Sequence, residues 1–301
     1  MTQDYVGSGP YCYANSLAML LGAESPVPQV IEVLTGSPFG FNYEEGGMPL
    51  FDPAGWDPWG GVDDAVGLLG WASDVGHARD DAEAVQWLRA TTEEHPIFVG
   101  PLEMGLLLHQ PGSGRATGSD HYVAVLGVHG DRVVFHDPHG HPYATLPVNA
   151  FLEAWRASSI DYVDRPFGMR SDFRHVTQVD AATAVRRALP RARKWLTSLD
   201  VDGTPATAAA LDRFAAVIDR GLDEGTRAHL TYFAVRAGAR RLADAASALR
   251  LIGNPHGAAI AARQAELVGS LQYDLMVDDR AGVLATIGRV APMYADLAAA
   301  L

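Results

Sequence analysis

Asp120-His121-Tyr122-Val123-Ala124-Val125-Leu126-Gly127-Val128-His129-Gly130-Asp131-Arg132-Val133-Val134-Phe135-His136-Asp137-Pro138 is the stretch that decides how this chain folds. Two apolar runs flank Gly130-Asp131, which is a hairpin signal. With the turn near His129-Gly130, cross-strand partners carry numbers that sum to about 258–260, and neighbours in such a register can touch. His121 then falls opposite a residue near 137–139, so His121 and Asp137 share the open end of one hairpin. An aspartate there orients the imidazole through one ring N–H and leaves the other nitrogen to act as a base.

A base in that position calls for a nucleophile, and the chain has one cysteine. Gly9-Pro10-Tyr11-Cys12-Tyr13-Ala14-Asn15-Ser16-Leu17-Ala18-Met19-Leu20-Leu21-Gly22 reads as a helix that opens at the thiol. Pro10 breaks regular structure before it, and Gly22 offers a stop. A thiol at a helix N-terminus feels the positive end of the dipole and a set of unpaired N–H groups. Both favour thiolate, which predicts a Cys12 pKa in the range of ~3.5–7.5 known for activated thiols. Cys12 as nucleophile, His121 as base and Asp137 as orienter complete a catalytic pattern.

Plainer readings stand beside this one. A lone cysteine among apolar helix residues is often a small buried hydrophobe. Asp-Pro is a common turn, and a histidine at a strand end is often a surface residue. The catalytic reading rests on all three falling into one template. His136, His139 and His141 crowd Asp137, but His136 points away from it along a strand. The other two fall in a Pro/Gly turn with no shared face, so no metal site is read there. His77, His95 and His109 are expected at the surface.

Composition narrows the function classes. The 301 residues are 48% hydrophobic and 20% charged, as in globular proteins. One cysteine excludes an internal disulfide and multi-cysteine zinc sites, and fits a reducing, cytoplasmic setting. No apolar run approaches the roughly 18 residues that span a bilayer. No Lys or Arg precedes Arg79, so no basic start of a secretory signal is read. Residues 1–170 hold 7 Lys and Arg against 22 Asp and Glu, whereas residues 171–301 hold 16 against 14. An acidic first half argues against a nucleic-acid partner. It is compatible with a cationic substrate, or with solubility alone. No cofactor is implied: Gly7-Ser8-Gly9 lacks the longer nucleotide-binding fingerprint.

The texture changes near Arg165-Pro166-Phe167-Gly168-Met169-Arg170-Ser171, which predicts a domain over 1–168 and a helical domain over 169–301. The first is α+β. Helices are expected over 12–21, 27–34, 63–71, 81–91 and 148–156, with strands at 97–101, 121–128 and 132–137 and a loop-rich insert over 36–62. Long irregular inserts are often functional. The second half reads as an antiparallel bundle. Asp180 caps a helix through about Leu199 with Pro190 inside it. Thr204-Pro205 opens the next and Gly221 closes it. Further breaks fall near Gly253-Asn254-Pro255 and Val277-Asp278-Asp279.

These residues resemble the papain-like cysteine peptidase superfamily, and more closely its branch that processes bacteriocin leaders. Closest is the butirosin biosynthesis protein H family. Three stretches carry the likeness: Tyr11-Cys12 through Leu21, Gly36-Ser37-Pro38-Phe39-Gly40-Phe41, and Asp120-His121-Tyr122-Val123 through Asp137-Pro138. The resemblance implies a papain-like catalytic fold followed by an all-α bundle. It implies transfer of an acyl group in antibiotic assembly, from an acyl-carrier-protein thioester through a Cys12 thioester to an amine. One departure stands out. Papain-like enzymes place an oxyanion-stabilising Gln about six residues before the Cys; here Val6 holds that position and the candidate is Gln3. Loss of such a donor costs about 10²–10³ in rate.

Three functions follow from this reading. An acyltransferase takes an acyl group from a carrier-protein or small acyl thioester and delivers it to an amine acceptor. A cysteine hydrolase (peptidase, amidase or thioesterase) makes the same attack with water as acceptor. A binding module keeps the fold without the chemistry. Phe39, Phe41 and Tyr43 either line an acyl pocket or pack in a core. Arg186, Arg187, Arg191, Arg193 and Lys194 either dock an acidic carrier or form a solvated helix face.

Overall fold

The computed structural model describes residues 10–201 and 203–301. In chain order the elements are α1 (Cys12–Leu21), α2 (Pro28–Leu34), α3 (Pro58–Leu68), β1 (Trp71–His77), α4 (Asp81–Ala90), β2 (Ile97–Glu103), β3 (Asp120–His129), β4 (Arg132–Asp137), β5 (His141–Pro147), α5 (Val148–Trp155), β6 (Gly168–His175), α6 (Ala181–Leu196), α7 (Ala206–Arg220), α8 (Glu224–His229), α9 (Val235–Leu251), α10 (Pro255–Met276) and α11 (Arg280–Ala300). A π turn over Leu230–Ala234 joins α8 to α9. The protein is thus mixed α and β, with an antiparallel sheet and a helical C-terminal region. No single helix among the described residues is long and apolar enough to cross a membrane.

The chain divides into two units, and neither is continuous. The sheet unit comprises Tyr11–Pro28 and Gly70–Gln178; the helical unit includes Gln29–Leu69 and Val179–Leu301. This differs from the single boundary expected at 168/169 in two places. β6 completes the sheet by pairing with β1 and β2. The loop-rich insert belongs to the helical unit because its aromatic side chains are buried there. Phe41 packs on Phe51 and Phe214 with ring centroids 5.1 and 5.6 Å apart.

In the sheet unit, six strands pair antiparallel in the order β1-β6-β2-β3-β4-β5. Inward side chains of β2, β3 and β4, among them Val99, Val123, Val125 and Phe135, are buried with Leu88 of α4 and Phe151 and Trp155 of α5. Helix α1 packs on β3, where Tyr13 sets the edge of its ring against Tyr122 at 6.1 Å. The expected helix over 63–71 instead spans 58–68. Asp57 accepts from the N–H of Gly60 at 2.8 Å and Pro58 stands in the first turn, a stronger start than Asp63. Gly70, at φ 77°, then turns the chain so that Trp71 opens β1. β1, β5 and β6 were not expected from the sequence.

In the helical unit, side-chain caps mark the starts: Asp180 on α6, Asp223 on α8, Asn254 on α10 and Asp279 on α11. Helix α6 runs through Pro190, and α7 opens at Ala206, just after Pro205. Helices α9, α10 and α11 pack consecutively across the expected breaks. Helix α9 carries a buried charged cluster. Arg241, 4% exposed, donates to Glu32 at 2.8 Å and Asp52 at 3.0 Å, and its guanidinium lies 5.5 Å from the Trp56 ring centre. Buried charges demand this kind of pairing.

Candidate functional site

β3 and β4 pair Ala124 with His136 and Val125 with Phe135, then shift by one residue before Gly127↔Val134. The turn residues are Gly130 and Asp131. Continuing the outer register sets Val123 against Asp137 and His121 against His139. Residues 121 and 137 are therefore diagonal neighbours on one face, which is within reach for a long side chain. His121 Nε2 lies 2.7 Å from Asp137 Oδ1. The two residues are 4% and 3% exposed.

Asp137 is saturated with donors. Oδ1 accepts from His121 and from the backbone N–H of His139, 2.7 Å away. Oδ2 accepts from His109 Nε2 and Gln110 Nε2, each at 2.7 Å. Burial alone raises its pKa. The hydrogen bonds from His109 and His121, the His121 charge and the His139 N–H outweigh that and hold the carboxyl far below the usual carboxylate range. Asp137 is thus an anion that only accepts. Against a carboxylate that only accepts, His121 presents Nε2 as its donor, which leaves Nδ1 as the nitrogen able to take up and release a proton.

His109 and Gln110 were missed in the sequence, and His109 corrects the expectation of a surface histidine. Its side chain is 10% exposed, with the ring 5.0 Å from Phe135 and 5.2 Å from His141. Both residues sit on the connection from β2 to β3, and Glu103 holds that connection in place. The Glu103 carboxylate accepts from the N–H groups of Gly105, Thr117 and Gly118 and from the hydroxyls of Thr117 and Ser159. Burial opposes charge on Glu103, yet these donors win and its pKa is lowered. Gly105 permits the close approach: a Cβ there would lie 2.1 Å from the carbonyl oxygen of Arg115. The available signal was loop length, because a long Gly-rich connection inside a domain is often functional.

Of the other histidines, His77 is half-buried and bonds the Pro166 carbonyl at 3.3 Å, whereas His95 is exposed. His136 turns away from Asp137 and accepts from the N–H of Tyr143 at 3.1 Å. Among the described residues, no group of three or more His, Cys, Asp or Glu is arranged to hold a metal ion.

Cys12 is half-buried at the first position of α1. No side chain caps this helix and no acidic residue stands in its first turn. One turn on, the buried Ser16 hydroxyl donates to the carbonyl of Tyr122 at 3.0 Å. Cys12 and Ser16 share a helix face. The carbonyl that Ser16 holds is that of Tyr122, the residue after His121, and Cys12, His121 and Asp137 all belong to the sheet unit.

The remaining expected residues fare differently. Gln3 lies outside the described residues. Phe39, Phe41 and Tyr43 are 1%, 0% and 5% exposed and belong to the helical unit, where Phe41 and Tyr43 pack on Phe214. They are core side chains of that unit. Arg186, Arg187, Arg191, Arg193 and Lys194 are exposed on α6, with Arg191 paired to Asp64.

Residues 201–301 match the family described as the YobF C-terminal domain. A protein of Bacillus subtilis (strain 168) that bears the name "Uncharacterized protein YobF" is 30% identical over 248 residues, which is 80% of this chain and 79% of the relative. An alignment that long reaches well upstream of residue 201 and takes in part of the sheet unit. The chain belongs to the YobF family.

Proposed function

We propose that this protein is a cysteine-dependent acyltransferase on a papain-like sheet unit, with Cys12 as nucleophile, His121 as base and acid, and Asp137 as orienter. The observation that carries the reading is the buried 2.7 Å contact of His121 Nε2 with an anionic Asp137. It leaves Nδ1 as the basic nitrogen at the end of β3 to which Ser16 ties α1. The uncapped start of α1 adds electrostatic support for a thiolate.

In the first half-reaction, Cys12 passes its proton to His121 Nδ1 and its sulfur attacks the carbonyl carbon of an acyl thioester. The C–S bond to the donor thiol breaks, and His121 returns the proton to that thiol. In the second, an amine attacks the Cys12 thioester and gives a proton to His121. The amide forms, and the Cys12 sulfur leaves as thiolate beside the imidazolium. Thioesters are already activated, so position and oxyanion stabilisation carry most of the catalysis. The likeness to the butirosin biosynthesis protein H family favours a carrier-protein thioester as donor and natural-product assembly as the setting. A single functional thiol suits a reducing cytoplasm.

The test is an assay of the purified protein with a simple acyl thioester, comparing amide formation across a panel of amines with release of free acid. Amide formation that outruns hydrolysis supports transfer. Hydrolysis that dominates with every amine assigns the same triad to a hydrolase.

A further inference from the structure

We propose that His109 is a positioning residue of this centre: by donating to the oxygen of Asp137 that His121 does not use, it sets how firmly His121 keeps its proton. The inference rests on the cysteine-enzyme reading above.

Two imidazoles hold one carboxylate, each through Nε2 at 2.7 Å, one on each oxygen. Oδ2 has a second donor in Gln110, so His109 is not needed to satisfy it. His109 also brings a penalty, because its Nδ1 is buried without a partner. Apolar packing against Phe135 does not explain that choice, since a Phe or Met would fill the same space and leave no orphan nitrogen. A donor on Oδ2 has an electronic consequence instead. It draws carboxylate charge away from Oδ1, weakens Oδ1 as the partner of a charged His121 and lets the imidazolium release its proton more readily. An acid–base residue that takes and returns a proton in one cycle needs that balance. Titratable neighbours of the pair among the described residues include His141, 5.2 Å from His109, and His139, 6.2 Å from His121 between ring centres; Cys12 opens α1, the helix that packs on β3.

The experiment is the pH dependence of Cys12 alkylation by iodoacetate in the wild type and in His109→Phe, His109→Gln and His121→Ala. Iodoacetate is an anion and reacts faster with the thiolate while His121 is charged. In His109→Phe the upper limb of the profile moves up by about half a pH unit or more, the direction expected for a carboxylate freed of one donor. His109→Gln carries an amide N–H to the same place and retains the wild-type profile. A His109→Phe profile that overlays the wild type overturns the role of His109 alone, provided His121→Ala still changes the reaction. If His121→Ala leaves rate and profile unchanged, both this inference and the proposed function fall. If His109→Phe does not fold, nitrogen-15 spectra of the wild-type imidazoles decide. Protons on Nε2 of both His109 and His121 support the arrangement, and an Nδ1–H tautomer at His109 overturns it.

Discussion

Ser16 donates its hydroxyl hydrogen to the carbonyl of Tyr122 at 3.0 Å, across 106 residues of sequence. It is a buried side-chain bond that fixes the cysteine helix to the histidine strand. Ser16→Ala leaves the Tyr122 carbonyl without that donor at a cost of about 1–3 kcal/mol. We expect a lower denaturant midpoint together with slower Cys12 alkylation. Slower alkylation at unchanged stability would place the role of Ser16 in alignment alone, and no change in either would remove it from the account.

Asp137→Asn replaces an acceptor that receives four donors with a group that must present an NH2 to two of them. Orientation of His121 is impaired but not deleted, so turnover falls by less than in Cys12→Ala, Cys12→Ser or His121→Ala, which abolish it. Steady-state rates of the four variants, with circular dichroism to check folding, give the ranking. An Asp137→Asn enzyme as active as wild type contradicts the orienting role.

Glu103 links loop order to pH. Its folded pKa lies below its ordinary 4.5. The carboxylate therefore contributes stability at all pH values above the unfolded pKa, and that contribution disappears as pH falls from there through the folded pKa. Glu103→Gln cannot titrate. Its melting temperature is lower than wild type near neutral pH and falls less steeply on acidification below about 4.5, the unfolded carboxylate value. Parallel curves for the two proteins would show that Glu103 is not the linked group.

Arg241 tests the helical unit independently of catalysis. Arg241→Met takes the guanidinium away from Glu32 and Asp52 in a buried setting, at about 3–5 kcal/mol for a broken buried ion pair. Adding Glu32→Gln and Asp52→Asn removes the uncompensated charge and recovers most of the loss. Urea unfolding of the single and triple variants measures both. A single variant as stable as the wild type would mean that the cluster is solvated in solution.

The His121–Asp137 pairing was legible because turn residues and alternation fix a hairpin locally, and a register error of one residue still leaves the two side chains at one end. Helix α1 and the starts of α6, α10 and α11 were legible for a similar reason: proline, glycine and capping residues act over three or four positions. The strands β1, β5 and β6 were not. Trp71–His77 and Gly168–His175 are only partly buried, carry charges and pair with each other across roughly 100 residues, so no local pattern marks them. His109 and Gln110 were hidden for another reason. They reach Asp137 only because Glu103 folds the loop through five hydrogen bonds that sequence spacing does not encode. The home of residues 29–69 was decided by Phe41, Phe51 and Arg241, contacts that lie up to 209 positions apart.

The intact mass of the protein after brief incubation with an acyl thioester tests the central claim most directly. The account predicts a gain of one acyl group on wild type, mapped to Cys12, removed by hydroxylamine and absent in Cys12→Ala. No adduct with any thioester tried, or an adduct that persists in Cys12→Ala, would contradict it.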